Sequence, residues 1–584
     1  MFNQNNDQIH RKVTLVILFC IMLSAIVSFV VTPITGDLEV FIAAARQAQY
    51  NHPIEFIGII KTWELKGVGS RIFIWAIYKL TQIFCAYGTQ KFPLVFSAIY
   101  LVLIMLLLLI SFYLLNRKWK RPYILCFGYV ITVTGILYSY CCNHMQNEMT
   151  GTILLIFAMA VYLGTDRPIL KFISGILFGS LFYFKSVLLV MGISFLGAIY
   201  LMDKEKKKID RIKHTVYYLL GAGLIVFGGL LLLWMLYPQE IYDMLDASKF
   251  QNTLFKSGIT NIKMITIIRE LVNGYKDNCL RIPVLFTGLM AALILFIKMV
   301  REKNWENIIY LLMLWLSPVI FIVLSNCYFP YHFFTFVFPA IISCIFLIKQ
   351  AVDENKTGIL EKSVVFGTIW AIVIFIFAKT PMGKSMMFQR SFNICMLTLL
   401  FMTLAIYIFR RQKQETVIGV FVLAYMLFCS LFFTSFASDY VRYIRKMTNE
   451  AEQVQMKNID KMESDKILYL DGGTGAYCIG AESYLRYFYA LPLQRIRQES
   501  KEAELECYKD SYSKMMEYQG NYILCDENWF FTNNEYTALK DKIRKEYIKS
   551  DEKLVYLSLD WSLFDYRNTC KISDEVLYMR RNSN

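Results

Sequence analysis

Thirteen long apolar runs recur along this chain, at residues 13–34, 93–115, 122–140, 148–163, 168–183, 186–202, 215–237, 282–299, 308–325, 332–348, 363–378, 391–409 and 416–434. A hydrocarbon core about 30 Å thick needs roughly 20 residues of helix to cross it. Backbone groups inside that core must be satisfied within the segment. A chain with this many runs is therefore expected to fold as an α-helical polytopic membrane protein. Composition agrees, with 56% apolar, 16% aromatic and only 18% charged residues among 584. The first run, Val13 to Val31, is too long for the apolar stretch of a secretory leader and lacks a small-residue cleavage site, so it is read as a retained helix. Residues 168–202 are broken only by Lys185, and are read as two short helices meeting at an outer turn.

The formal net charge is +15, but it does not point to nucleic acid. The basic residues cluster in short loops: His10 to Lys12, Arg117 to Arg121, Lys204 to Lys213, Lys298 to Lys303, Lys349 to Lys362 and Arg410 to Lys413. Placing every one of these in the cytoplasm satisfies the positive-inside rule. With an odd number of crossings, the N-terminus is then cytoplasmic and the C-terminus lies outside. The expected division is a transmembrane domain over 1–434, with a first outer loop at 35–92, and an extracytoplasmic soluble α/β domain over 435–584.

Three outer segments are large, residues 35–92, 238–281 and everything after about 435, and all fall on one side. The first carries an amphipathic helix candidate from Asp37 to Gln49, with Phe41, Ala44, Ala45 and Ala48 on one stripe. A second candidate, Arg71 to Tyr87, suits a helix lying in the interface. Beyond 435, short β-rich runs at Ile467–Leu470, Tyr522–Leu524 and Leu554–Leu559 alternate with polar helical stretches such as Lys501 to Glu517, the pattern of a small α/β domain. Gly472-Gly473-Thr474-Gly475 lacks the G-x-G-x-x-G spacing and reads as a strand-to-helix turn. Fourteen cysteines include no Cys-x-x-Cys pair, and there is no His-Glu-x-x-His, no P-loop and no serine elbow.

What remains is a set of polar residues at the outer ends of the spans. Asp37 and Glu39 follow the first span. Glu64, Lys66 and Arg71 lie in Trp63-Glu64-Leu65-Lys66-Gly67-Val68-Gly69-Ser70-Arg71 of the same loop. Glu148 closes Gln146-Asn147-Glu148 at the fourth, Lys185 sits at the outer turn, and Tyr331-His332 opens the tenth. Ionisable groups at a membrane boundary are costly unless they have a function or a partner. Carboxylates beside Lys, Arg and His suit a site where a base activates a nucleophile while cations hold a phosphate leaving group. Each residue also has a structural alternative. Asp37 and Glu148 suit helix starts, Lys66 and Arg71 suit interfacial anchors, Lys185 can snorkel, and His332 suits a hydrogen-bonded boundary position. Residues two apart point to different sides of a helix, so of Asp37 and Glu39 only one enters a given site, and Asp37 is the choice made here.

Taken together, the acid in Asp37-Leu-Glu-Val-Phe-Ile-Ala-Ala-Ala-Arg46, the Lys66-Gly-x-x-x-Arg71 loop, Gln146-Asn-Glu-Met-Thr150, Tyr183-Phe-Lys185 and Phe329-Pro-Tyr-His332 resemble the GT-C superfamily of membrane glycosyltransferases, in the branch of bacterial aminoarabinose transferases and protein O-mannosyltransferases. The resemblance covers essentially the whole chain and rests on the order and side of short motifs. It implies a multi-pass protein of the bacterial cytoplasmic membrane that takes a polyprenyl-phosphate sugar as donor and transfers it, with inversion, to a lipid, glycan or protein acceptor at the outer face, among membrane lipids. It implies Asp37 as general base or acceptor-positioning residue with Glu148 as a second catalytic carboxylate, and Lys66 at the lipid phosphate with Arg71 beside it; Glu39, Glu64, Lys185, Tyr331 and His332, from the outer-end set above, are the further substrate-binding candidates. The family's Lys-Pro-Pro is Lys66-Gly67-Val68 here, and the adjacent Asp-Glu of the mannosyltransferases is Asp37-Leu38-Glu39. No cofactor is required by such chemistry, because lipid phosphate is itself a leaving group. A divalent ion between Asp37 and Glu148 is the one metal arrangement considered. A lipid or polysaccharide transporter is the reading from another class, and it would need a polar path through mid-span positions that are mostly apolar. A glycan polymerase or ligase is the alternative within lipid-linked chemistry.

Overall fold

The structure, a computed structural model, describes residues 37–64, 67–87, 91–137, 145–203, 208–255, 264–279, 283–325, 330–353 and 465–553, with scattered residues between 12 and 29, residue 462 and short stretches from 558 to 581. Among these, four helices are long and apolar enough to cross a membrane: Phe92–Trp119, Ile209–Leu236, Trp305–Ser325 and Tyr331–Gln350. Shorter apolar helices at Leu125–Leu137, Asn147–Leu163, Pro168–Phe184 and Ser186–Met202 accompany them. The apolar runs from 93–115 to 332–348 all coincide with helical segments, and the first run is helical where it is described. The runs at 363–378, 391–409 and 416–434, and the division at 434–435, lie outside the described residues.

Burial separates central from peripheral helices. The span Tyr331–Gln350 is 94% buried within the molecule, whereas Ile209–Leu236 is only 17% buried and presents Leu224, Phe227, Leu231 and Trp234 outward. That peripheral helix is held by close backbone approach. A Cβ on Gly175 would stand 1.9 Å from the Tyr218 carbonyl oxygen, and one on Gly221 would stand 2.1 Å from that of Phe172. Reciprocal small residues of this kind let two helices pack without a hydrophobic driving force between them. Phe195 then stacks on Tyr218 at 4.6 Å and 7°.

The long apolar run breaks at Lys185, whose extended backbone (φ −161°, ψ 114°) separates the helical turn Leu181–Phe184 from the 3-10 turn Ser186–Met191. Facing this break is the start of the Val68–Phe84 helix. A Cβ on Gly67 would lie 2.2 Å from the Tyr183 carbonyl oxygen, and one on Gly69 would lie 3.0 Å from the Tyr183 backbone. The glycines let this helix begin three residues earlier than Arg71, pressed against the lysine-bearing turn. Its other end exposes Leu80, Ile83 and Phe84, as an interfacial helix would.

The C-terminal region is built on a four-stranded sheet in the order β1-β2-β6-β3, with β1 Leu468–Leu470, β2 Tyr522–Asp526, β3 Tyr547–Lys553 and β6 Glu575–Arg580. β1 and β2 are parallel, and β6 runs antiparallel to both β2 and β3. Two short strands, β4 Ser558–Leu559 and β5 Cys570–Lys571, pair separately. The strand expected over Leu554–Leu559 is described only at its last two residues. The polar helical stretch is found as a 3-10 turn, Lys501–Glu504, and a helix, Glu506–Glu517.

The position of this domain corrects one expectation. The Asp37–Asn51 helix is not amphipathic in its setting: Leu38 to Ala45, Gln47 and Ala48 are all buried. The face that would have been wet is covered by the outer domain. Gln47 donates to the Ala481 carbonyl at 2.8 Å and accepts from the Ser483 amide at 3.0 Å, while Arg46 and Tyr50 both reach the Gly480 carbonyl, at 3.2 and 3.1 Å. Tyr87 donates to the Tyr477 carbonyl. After β1, Asp471 accepts from the amides of Gly473 at 3.1 Å and Gly475 at 2.5 Å. Gly473 has φ +101° and its Cβ position is 3.0 Å from Val40, so only glycine seats this turn on the helix one turn from Asp37.

A second tie runs through the Pro238–Phe255 helix. Glu240, Asp243 and Asp246 lie at i, i+3 and i+6 on one face. Glu240 pairs with Arg71, Asp243 pairs with Arg486 at 2.7 Å, and the Asp246 carboxylate accepts from the amides of Glu506 and Cys507, both at 3.0 Å, at the start of the Glu506–Glu517 helix. One helix thus joins the first outer loop to the outer domain.

Candidate active site

Three consecutive residues at the start of the Asn147–Leu163 helix gather the outer motifs. Gln146 donates to Asp37 Oδ2 at 2.7 Å, fixing one oxygen of that carboxylate at the first residue of the Asp37–Asn51 helix. Asn147 accepts from the Ser70 hydroxyl and donates to the Phe184 carbonyl at 2.8 Å, holding the Val68–Phe84 helix against the 181–191 turn. Glu148 receives Lys185 Nζ on Oε1 at 2.7 Å. Three elements distant in sequence meet on one tripeptide because three different side chains at a helix start project in three directions.

Lys185 bridges two buried groups. Its ammonium lies 2.7 Å from Glu148 Oε1 and 2.9 Å from His332 Nε2. An ammonium has donors only, so the imidazole Nε2 accepts and the ring proton sits on Nδ1. Glu148 and His332 side chains are 1% and 4% exposed, whereas Lys185 is 21% exposed. The carboxylate and imidazole therefore anchor a cation whose side chain stays partly exposed. The Phe321 ring lies 5.2 Å from Nζ and 5.8 Å from the His332 ring, and Tyr331 packs edge-on to His332 at 4.6 Å.

The other sequence candidates are distributed differently. Glu39, 2% exposed, turns away from Asp37 toward the outer domain, where its charge bears on Tyr477 and Cys478. Glu64, 4% exposed, faces Tyr487 and Tyr489. Lys66 lies outside the described residues. Arg71 is buried, with Nη2 on Glu240 and Nη1 on the carbonyls of Ile59, Ile60 and Thr62. That engagement braces the loop rather than presenting a cation to a ligand. Glu240, the partner that sequence reasoning missed, lies 169 residues away in a helix whose acids carry no motif.

Burial outweighs the nearby guanidinium at Glu240, and pushes its carboxyl up from 4.5 to about 7. The folded chain thus holds this proton more tightly than the unfolded chain. The resulting stabilisation is complete below about pH 4.5 and is lost as pH rises through about 7. Thermal unfolding of the detergent-solubilised protein is expected to show a midpoint that falls between about pH 5 and 8. Glu240→Gln, neutral throughout, should flatten that dependence by on the order of 3 kcal/mol. An unaltered slope in the variant would assign the titration to another group.

Among the described residues no group of three or more His, Cys, Asp or Glu side chains is placed to hold a metal ion, and Glu148, one half of the Asp37–Glu148 arrangement considered for a divalent ion, is engaged by Lys185. No family model matches the sequence, and no curated protein matches it. Among solved structures, the chain superposes on ArnT from Cupriavidus metallidurans bound to undecaprenyl phosphate, with a TM-score of 0.50 at 12% identity, over 97% of this chain and 98% of that one. The chain shares the fold of that ArnT. The apo form of the same ArnT gives a TM-score of 0.44 at 12% identity, over 99% and 98% of the two chains. Within this fold, the Asp37–Asn51 helix, the lysine turn and the start of the Asn147–Leu163 helix meet beside the C-terminal sheet region.

Proposed function

We propose that this chain is a membrane glycosyltransferase that moves a sugar from a polyprenyl-phosphate-linked donor to an acceptor at the outer face of the membrane, with inversion at the anomeric carbon. The observation that carries this reading is the Gln146–Glu148 tripeptide, whose first and third residues hold a carboxylate, Asp37, and a partly exposed lysine, Lys185, at one helix start. The likeness in fold to a protein solved with undecaprenyl phosphate supports the choice of donor.

In this reading the donor phosphate sits at Lys185, with Lys66 as a second cation. The acceptor hydroxyl attacks the anomeric carbon, its proton passes to Asp37, and the bond from that carbon to the phosphate oxygen breaks. Gln146 holds Asp37 Oδ2 at the helix start, and the Asp37 carboxylate takes the proton. Lys185 meets the charge growing on the departing phosphate. Glu148 and His332 keep that ammonium in place, and Arg71 serves the architecture of the first loop. The apolar helices offer a groove for the prenyl tail. The C-terminal domain and the large loops lie outside the cell, and the N-terminus lies within.

The test is incubation of purified protein with radiolabelled undecaprenyl-phosphate hexoses, pentoses and a membrane extract. Label is expected to leave one of these lipids and appear in an extract component. Retention of label on every donor, by protein shown to be folded, would reject the reading.

A further inference from the structure

The Asp37–Asn51 helix is gripped near both ends by one stretch of the C-terminal region, residues 471–483. At its first turn, Val40 meets the turn that Asp471 fixes by accepting from the Gly473 and Gly475 amides. Toward its other end, Gln47 is buried and pairs with two backbone groups. Its Nε2 donates to the Ala481 carbonyl at 2.8 Å and its Oε1 accepts from the Ser483 amide at 3.0 Å. The Ala481 carbonyl also accepts from the Tyr469 hydroxyl at 3.2 Å, which ties this contact to β1. An apolar side chain would fill a buried position beside Ala44 and Ala48 without needing partners. Two directional bonds fix what apolar contact leaves free, namely the rotation of the helix and its position along its axis. We infer that Gln47 is a positioning residue for Asp37, through which the C-terminal region sets the orientation of the helix that carries the proposed base; the inference rests on the transferase reading above.

Gln47 stands about 15 Å along the helix from Asp37, at 1.5 Å per residue. The helix is continuous between them, so a rotation allowed at Gln47 is carried to the carboxylate. Gln146 holds Asp37 Oδ2 at 2.7 Å from the Asn147–Leu163 helix, and that bond keeps its geometry only while the Asp37–Asn51 helix keeps its orientation. A displacement of about 1 Å at a reacting group costs on the order of 100-fold in rate. Lys185 is held by Glu148 and His332, at 2.7 and 2.9 Å, and not by this helix. A change at Gln47 therefore acts on proton transfer and spares the grip on phosphate.

The experiment compares detergent-purified wild type, Gln47→Met, Gln47→Glu and Tyr547→Phe. It reads affinity for undecaprenyl phosphate, and single-turnover transfer from the radiolabelled undecaprenyl-phosphate sugar that the wild type discharges. Gln47→Met keeps the length of the side chain and removes both bonds, and is expected to transfer about 10- to 100-fold more slowly with lipid affinity unchanged. Tyr547→Phe removes a bond to the Gly520 carbonyl, 2.7 Å long, within the C-terminal region. It should lower the thermal midpoint and leave transfer as it was. Gln47→Glu supplies a rescue: a protonated carboxyl donates to Ala481 and accepts from Ser483, an ionised one cannot donate, and burial favours the protonated form. Its rate relative to wild type at the same pH should rise as pH falls from about 8 to about 6. Arg46, Tyr50, Tyr469 and Glu482, ionisable neighbours of this pairing, are present in both proteins and cancel in that ratio. Should Gln47→Met lose lipid affinity as well, the glutamate ratio decides. Wild-type transfer in Gln47→Met, a constant glutamate ratio, or equal slowing in Tyr547→Phe would overturn the positioning role and leave the transferase reading standing. Wild-type protein that transfers sugar from no donor would reject the transferase reading itself.

Discussion

Asp37→Asn is expected to yield a folded chain that binds undecaprenyl phosphate as before and transfers sugar about 100- to 10,000-fold more slowly. The substitution is nearly isosteric, and the amide oxygen can still accept the hydrogen bond from Gln146 that holds the present carboxylate at 2.7 Å. What it loses is the capacity to take a proton. Glu39→Gln should cost far less, because Glu39 is turned toward Tyr477 in the outer domain and serves docking rather than chemistry. Single-turnover transfer with a labelled donor, alongside a thermal-unfolding control, reads both variants. Full activity in Asp37→Asn would leave Asp37 only its place at a helix start.

Lys185→Ala should both weaken binding of undecaprenyl phosphate and slow transfer by about 100- to 1,000-fold, since the same charge meets the ground-state phosphate and the larger charge of the transition state. The substitution also strips Glu148 of its cation. A buried carboxylate left without its partner costs about 3–5 kcal/mol, and Glu148 is 1% exposed. Loss of activity in the single variant would thus mix chemistry with stability. The double variant Glu148→Gln/Lys185→Ala separates them: stability should return and transfer should not. Recovery of transfer together with stability would reduce Lys185 to a structural counter-ion.

The sequence was most informative where local physics decides structure. The apolar runs that fall within the described residues are helical, the lone Lys185 in a long run is a break, and β1 and β2 follow from short β-rich runs. Glu148, Lys185 and His332, chosen separately from three motifs, lie within 3.4 Å of one another. The fold implied by the order of the motifs is matched by the superposition on ArnT. Partners set by tertiary placement were not legible. Gln47 bonds Ala481 across 434 residues, and that contact buries a helix whose pattern promised a wet face. Arg71 looked like a phosphate ligand from its place in the loop, yet its partner is an acid in a helix that carries no motif. β6, the strand that knits β2 to β3, comes from the last residues of the chain, where no alternation marked it.

The proposed transfer separates two roles at one helix start: Asp37 for the proton and Lys185 for the phosphate. The most direct test is to titrate undecaprenyl phosphate onto wild type, Asp37→Asn and the stabilised Glu148→Gln/Lys185→Ala variant under identical detergent conditions. The prediction is equal affinity for wild type and Asp37→Asn, and binding weaker by at least about tenfold for the lysine variant. Equal affinity in all three would contradict the assignment of the phosphate to Lys185, and with it the central claim.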